Sequence, residues 1–243
     1  MFYLNREPHP ADCVPDWSER FQELAAQARD ERLRRFYQAG SVTPDTPLSD
    51  VPFVALDFET TGLNPNRHSI VSIGLVPFDL NRIRVRGSKH WIVKPRLPLH
   101  QRSITFHRIT HSDIRSAPDL DEVLDDLLQS LAGRIVVVHH RSIERQFLDV
   151  AVRVRLRESI EFPVVDTMEL EARLHRKRRR GALAKLFGRD PVSIRLADSR
   201  ERYGLPYYPP HHALTDAQAS AELLIAQIAD RFSPGTPIRE IWA

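Results

Sequence analysis

Two spacings of apolar residues follow one another along this chain, and their order restricts the fold more than any other feature. Between 53 and 93 the apolar residues come in short runs: Phe53 to Phe58, Ile70 to Val76, a weaker one from Arg82 to Val85, and His90 to Val93. Runs this short, bounded by Pro52 and by an Asn64-Pro65-Asn66 turn, are strand-like. Their short links favour antiparallel pairing, because a parallel pair needs a crossover of a dozen or more residues. From 120 the spacing changes. Leu120, Val123, Leu124, Leu127, Leu128 and Leu131 recur at threes and fours, which predicts a helix started by Pro118-Asp119 and ended by Gly133. Then come a buried type of strand over 134–138, a helix over 143–154, a very short strand at Val164-Val165, helices over 168–174 and 182–187, and a long helix over 213–228. A strand meander followed by alternating helices and strands implies an α/β fold, a mixed sheet flanked by helices.

Residues 1–50 read differently. Trp17 to Gln38 predicts one amphipathic helix with Trp17, Phe21, Leu24, Ala28 and Phe36 on its stripe, capped by Asp16 or Ser18 and ended by Gly40. Thr43-Pro44-Asp45-Thr46-Pro47 follows as a linker. A lone helix cannot hide such a stripe, so it is expected to pack on the main body. The division is therefore a helical extension and linker over 1–50, a main domain over 51–232 and a tail over 233–243.

With 243 residues the chain can bury a core without staples. Its single cysteine, Cys13, excludes an intrachain disulfide and a cysteine-rich metal site. No apolar run is long enough for a membrane span and no secretory signal is legible, so the cytoplasm is the expected compartment and no membrane partner is expected. The net charge is only +3, from 35 basic and 32 acidic residues, yet all the basic residues except Lys89, Lys94, Lys177 and Lys185 are arginine. Arginine grips phosphate through a rigid fork; a general compositional bias would give the same excess.

The acids say more. Asp57 and Glu59 end an apolar strand two residues apart, so both carboxylates fall on one face with Phe58 on the other. Placed so, they repel unless protonated or bridged by a cation. Gly62 lets the chain turn just after them. Val136-Val137-Val138-His139-His140 delivers the chain to a helix whose first turn holds Glu144. Asp166-Thr167 again follows a short strand, and His211 lies five residues before Asp216 in the opening turns of the last helix. Singly, each acid is better explained by helix capping or solvation. Together, acids at strand ends and helix starts suit hard divalent ions, which take oxygen ligands.

Asp57-Phe58-Glu59-Thr60-Thr61-Gly62 resembles the first motif of the DnaQ-like, or DEDDh, 3'-5' exonucleases, the superfamily of the proofreading epsilon subunit of bacterial DNA polymerase III. The second motif falls on His139-His140-Arg141-Ser142-Ile143-Glu144 and the third on His211 and Asp216. Asp166-Thr167 and the segment 104–114 with His107 match further family-typical stretches, so the likeness runs over roughly 53–228 in the right order. It implies an RNase H-like fold and hydrolysis of phosphodiester bonds at DNA 3' ends, releasing nucleoside 5'-monophosphates. Asp57, Glu59, Glu144 and Asp216 are the implied ligands of two divalent ions, Mg2+ or Mn2+, and His211 is the implied base for the attacking water. Asp166, Thr167 and His212 are implied supports, and Thr60, Thr61, Gly62, Leu63 and His107 implied contacts to the terminal nucleotide.

The family usually has aspartate where this chain has Glu144. One extra methylene matters to magnesium, which demands near-ideal octahedral geometry. A long stretch between Asp166-Thr167 and Tyr203-Gly204-Leu205 also departs from compact relatives. It holds the basic run Arg176, Lys177, Arg178, Arg179 and Arg180, either solvated surface or a phosphate-tracking patch. The arginines over 192–203 can equally form intramolecular ion pairs. The implied partners are single-stranded or frayed DNA 3' ends, with RNA as the alternative because both share the scissile phosphate. A catalytically weak nucleic-acid-binding or polymerase-accessory protein is the reading of another class.

Overall fold

The computed structural model describes residues 14–96, 109–179 and 192–243. The first three strands form an antiparallel meander: β1 (Phe53–Thr60), β2 (Ile70–Phe78) and β3 (Lys89–Ile92). Two more strands, β4 (Ile135–Val138) and β5 (Val164–Asp166), join parallel to β1, giving the order β3-β2-β1-β4-β5. The central position of β1 and β4 explains their near-continuous apolar sequences, since a strand covered on both faces has no side for polar residues.

The weak run Arg82 to Val85 is not a strand. Asp79 Oδ1 accepts from the amides of Asn81 and Arg82 at 2.8 and 3.0 Å, which turns the chain, and only a single bridge, Phe78 to Ile83, precedes a 3-10 turn at Val85–Gly87. A side chain that captures backbone amides removes them from a ladder.

The predicted single helix over 17–38 is two, α1 (Trp17–Gln27) and α2 (Glu31–Gln38). Asp16 caps α1 and Asp30 caps α2. The break is held open by Glu158, whose carboxylate accepts from the amides of Arg29 and Asp30, both at 2.8 Å. Trp17, Phe21, Leu33, Phe36 and Tyr37 are buried in the same core as the sheet. At the other end of the chain Ile238, Ile241 and Trp242 are buried too, and Ala243 exchanges two backbone hydrogen bonds with Val164.

Three further helices make the crossovers. After the short α3 (His111–Arg115), α4 (Leu120–Leu131) has a complete capping box at Asp119 and Glu122 and leads into β4; α5 (Arg141–Leu156) then joins β4 to β5. The chain continues as α6 (Thr167–Arg179), α7 (Leu196–Arg202) and α8 (Ala213–Arg231). The helix α7 has no counterpart in the reading of the sequence. It is held by buried ionic contacts rather than by an apolar stripe: Arg200 donates to Glu222 and to the Ala219 carbonyl, both at 2.7 Å. Glu171, fully buried on α6, accepts from Arg202, Tyr203, Gln227 and Arg231 at 2.7–2.9 Å. One carboxylate thus ties α6, α7 and α8 together. The helix expected over 182–187 lies outside the described residues. No helix among the described residues is long and apolar enough to cross a membrane.

Candidate metal centre

Strand β1 carries Asp57 and Glu59 on one face, opposite Gly74 and Ser72 of β2. The start of α8 lies directly on that face, and Gly74 is why it can: a Cβ there would fall 2.1–2.3 Å from the backbone of Ala213 and Leu214. That contact sets Asp216, one turn into α8, above the two acids of β1. Asp57, Glu59 and Asp216 each offer an oxygen, all within 4.8 Å of one another.

Glu144, in the first turn of α5, is not in that trio, although its charge acts on Asp57. It is 3% exposed, and its Oε2 is buried without a hydrogen-bond partner. The approach of α5 is set by Asp166. That carboxylate accepts from the amides of His140 and Arg141 at 3.1 and 3.0 Å, and from Met168 and Glu169 at 3.0 and 3.3 Å. It therefore caps the N-termini of α5 and α6 at once. His140 takes φ 106° to make this possible. His139 is half-buried by surface area, its Nε2 donating to the Ile194 carbonyl at 3.0 Å and its Nδ1 2.8 Å from Thr167 Oγ1; removal from water pushes its pKa down to about 4, so it is neutral.

Electrostatically the site is a surplus of negative charge. Burial, then the charges of Asp216, Glu59 and Glu144, lift the Asp57 carboxyl well above the usual range. Glu59 is pushed up to about 8 by burial and Asp216, and Glu144 to about 8 mainly by burial. Asp216 is raised by burial against the opposing pull of the His211 and His212 amides, which donate to its Oδ2 at 2.7 and 3.3 Å. No lysine or arginine pairs with any of the four among the described residues. Oxygen-only ligands, an unpartnered buried carboxylate oxygen and like charges at close range are the chemistry that a divalent cation satisfies, so the residues fit such an ion.

His211 sits on the exposed turn before α8 with φ 71°. His212 caps α8, its Nδ1 accepting from the Thr215 amide at 3.3 Å. Thr60 Oγ1 donates to the Gly62 carbonyl at 2.8 Å, Thr61 is buried and accepts from the Ser69 amide, and Leu63 is 75% exposed beside them. His107 and Arg180 lie outside the described residues, as do the side chains of 176–179.

Two features of the site went unread in the sequence. Gly74 is one; a lone glycine inside an apolar strand signals close backbone approach. The other is a chain of contacts from Ser72 to His90 (2.8 Å) and from the His90 ring to the His212 ring (4.8 Å between centroids). No sequence signal links these residues, because they meet only when β3 and α8 lie on β2.

A mixed five-stranded sheet flanked by helices, with acids converging at one end, is the RNase H-like fold of exonucleases. The exonuclease (RNase_T) family profile matches residues 54–224, and the chain belongs to that family. It is 27% identical to DNA polymerase III subunit epsilon of Treponema pallidum over 74% of this chain and 77% of that one. It is 28% identical to a PolC-type DNA polymerase III of Thermotoga maritima over 76% of this chain, but spans only 12% of that polymerase. Among solved structures it superposes on the nuclease domain of 3'hExo, a DEDDh family member, bound to rAMP. There the TM-score is 0.61 and the identity 16%, covering 74% of this chain and 92% of that one. With exonuclease X in complex with 5' overhanging duplex DNA the TM-score is 0.56 and the identity 21%, covering 76% and 96%.

Proposed function

We propose that this protein is a divalent-metal-dependent 3'-5' exonuclease that hydrolyses the terminal phosphodiester of DNA and releases nucleoside 5'-monophosphates. The observation that carries this reading is the convergence of Asp57, Glu59 and Asp216 within 4.8 Å with no lysine or arginine pairing them among the described residues. Two divalent ions, Mg2+ or Mn2+, would be held by these acids with Glu144 and would supply positive charge against the phosphate and a more acidic water. The protein's own part is positional. Asp57 and Glu59 present oxygens from a rigid central strand, and Asp216 presents one from a helix fixed by its own backbone contacts. His211 takes the proton of the attacking water from the turn before α8. Thr61, Gly62 and Leu63 border the place of the terminal nucleotide.

RNA is the second substrate, favoured by the likeness to a nuclease domain bound to rAMP and by the phosphodiester that both polymers share. The relatedness to epsilon and PolC-type chains supports association with a DNA polymerase, and the reducing cytoplasm suits a chain with one cysteine. The test is end-labelled DNA and RNA oligonucleotides, with free or blocked 3' ends, incubated with the purified chain and Mg2+ or Mn2+. Mononucleotides released only from free 3' ends are expected. A folded protein that cuts neither polymer with either metal refutes the reading, and equal degradation from blocked ends refutes its polarity.

A further inference from the structure

Two grooves lie on elements that carry the acids or follow them, and they differ in charge. One borders Asp216 and is lined by Leu196, Asp198, Arg200, Glu201 and Tyr207. Its one basic group, Arg200, is buried and spent on Glu222 and on carbonyls, so Asp198, Glu201 and Asp216 turn this groove against a phosphate chain. The other, of about 290 Å3, lies between the turn that follows Leu63, the segment after β3, and α5. Lys94 and Arg96 stand exposed on its rim. Neither forms an ion pair among the described residues. Arg96 is close enough to Asp119 to help hold that carboxyl down, but both Asp119 oxygens are occupied by Arg155 at 2.7 and 2.9 Å. The floor is aliphatic, with Ala151 and the 41% exposed Val154.

This second groove adjoins the turn that follows the acids of β1. The Thr61 amide donates to the Ser69 carbonyl, and the His68 ring packs under Gly62, where a Cβ would come within 2.6 Å of it. His68 and Ser69 both line the groove. Its volume is just below the roughly 300–1,000 Å3 of small-ligand sites, room for a nucleotide unit and not for a duplex.

We propose that this groove seats the single strand just upstream of its 3'-terminal nucleotides, with Lys94 and Arg96 on backbone phosphates and the aliphatic floor under a base. The proposal rests on the exonuclease reading for its direction and on charge complementarity for its occupant. With no base-edge donors or acceptors required, binding there is tolerant of sequence.

The test has a binding arm and a turnover arm. In the first, a fluorescent octanucleotide, DNA or RNA, is titrated with the full chain carrying Asp57→Asn, with and without Lys94→Gln and Arg96→Gln together. Each phosphate contact on a single strand contributes about 0.7 to the slope of log affinity against log salt. Loss of both lowers the slope by about 1.4, so that the unsubstituted groove loses about sevenfold more affinity between 50 and 200 mM salt. Arg34→Gln with Arg35→Gln on α2, an equal loss of charge away from the groove, should leave the slope unchanged. In the second arm, Lys94→Gln/Arg96→Gln in the natural background should raise KM for the octanucleotide and leave turnover of a dinucleotide, too short to reach the groove, as it was.

Unchanged octanucleotide affinity and salt slope overturn the proposal. So does an unchanged slope accompanied by a shift in dimerisation on sedimentation, which would assign the groove to a second copy of the chain. An octanucleotide that binds through Lys94 and Arg96 but is never cut supports the groove and refutes the exonuclease reading.

Discussion

Replacing Glu144 by glutamine in metal-free protein should convert a pH-dependent instability into a constant one. Glu144 is buried, and its carboxyl titrates at about 8 instead of its ordinary 4.5. The folded state therefore holds the proton more tightly than the unfolded chain does, and stability falls as pH rises from 4.5 towards 8. Between pH 5 and pH 7 the unfolded glutamate is already mostly ionised while the folded one stays largely protonated. The resulting loss is on the order of 2 kcal/mol for this group. Glutamine has no proton to lose. Whatever its amide costs in that site is the same at both pH values and cancels in the comparison. Urea unfolding in chelator, followed through the buried Trp17 and Trp242, should show the variant gaining on the natural chain by about that amount from pH 5 to pH 7. A divalent cation should narrow the gap, because it pairs the charge that burial penalises. A gap identical at both pH values would refute the burial argument, and with it the fit of Glu144 to a cation.

Three other outcomes follow from the geometry. Asp57→Ala and His211→Ala should each lower turnover of an oligonucleotide by about 10²-fold or more, measured as mononucleotide release, with folding retained by circular dichroism. Gly74→Ala should cost about 1–3 kcal/mol in urea unfolding, because its methyl group meets the backbone at the start of α8 at 2.1–2.3 Å; a neutral result would mean that α8 does not seat there. Asp166→Ala should cost about 2 kcal/mol or more by the same measurement, since two helix caps are lost together.

The sheet was legible wherever local periodicity and burial agree. Leu120–Leu131 is the helix its apolar spacing describes, and the strand starting at Phe53 runs two residues further than its apolar run, through Glu59 and Thr60. It was not legible where distant groups decide. The helix over 17–38 breaks because Glu158, some 130 positions along the chain, supplies acceptors for the amides at 29 and 30. A local competitor decides at 82–85, where the Asp79 carboxylate takes the Arg82 amide and no strand forms. The arginines over 192–203 do form the intramolecular ion pairs that were one reading of them, but only folding shows that Arg200 reaches Glu222 and Arg202 reaches Glu171, and so that they secure a helix, α7.

The same division runs through the site. The residue types and their order, with Asp57 and Glu59 at period two and His211 five before Asp216, are properties of the sequence itself, because strand and helix periods place side chains without reference to the rest of the chain. The family resemblance rests on that order. The tertiary structure decided which acids meet. Asp57, Glu59 and Asp216 close to within 4.8 Å because a glycine on β2 admits α8 against the sheet, while Glu144 stands outside the trio, on a helix whose start is tied to Asp166. It also decided where unpaired positive charge remains. Of the 35 basic residues, many are consumed by carboxylates that only folding brings near. Lys94 and Arg96 stay exposed on a groove rim, and Asp119, the acid that feels the charge of Arg96, is already paired with Arg155. Net charge cannot reveal that distinction, since ion pairing depends on separation in space and not on composition.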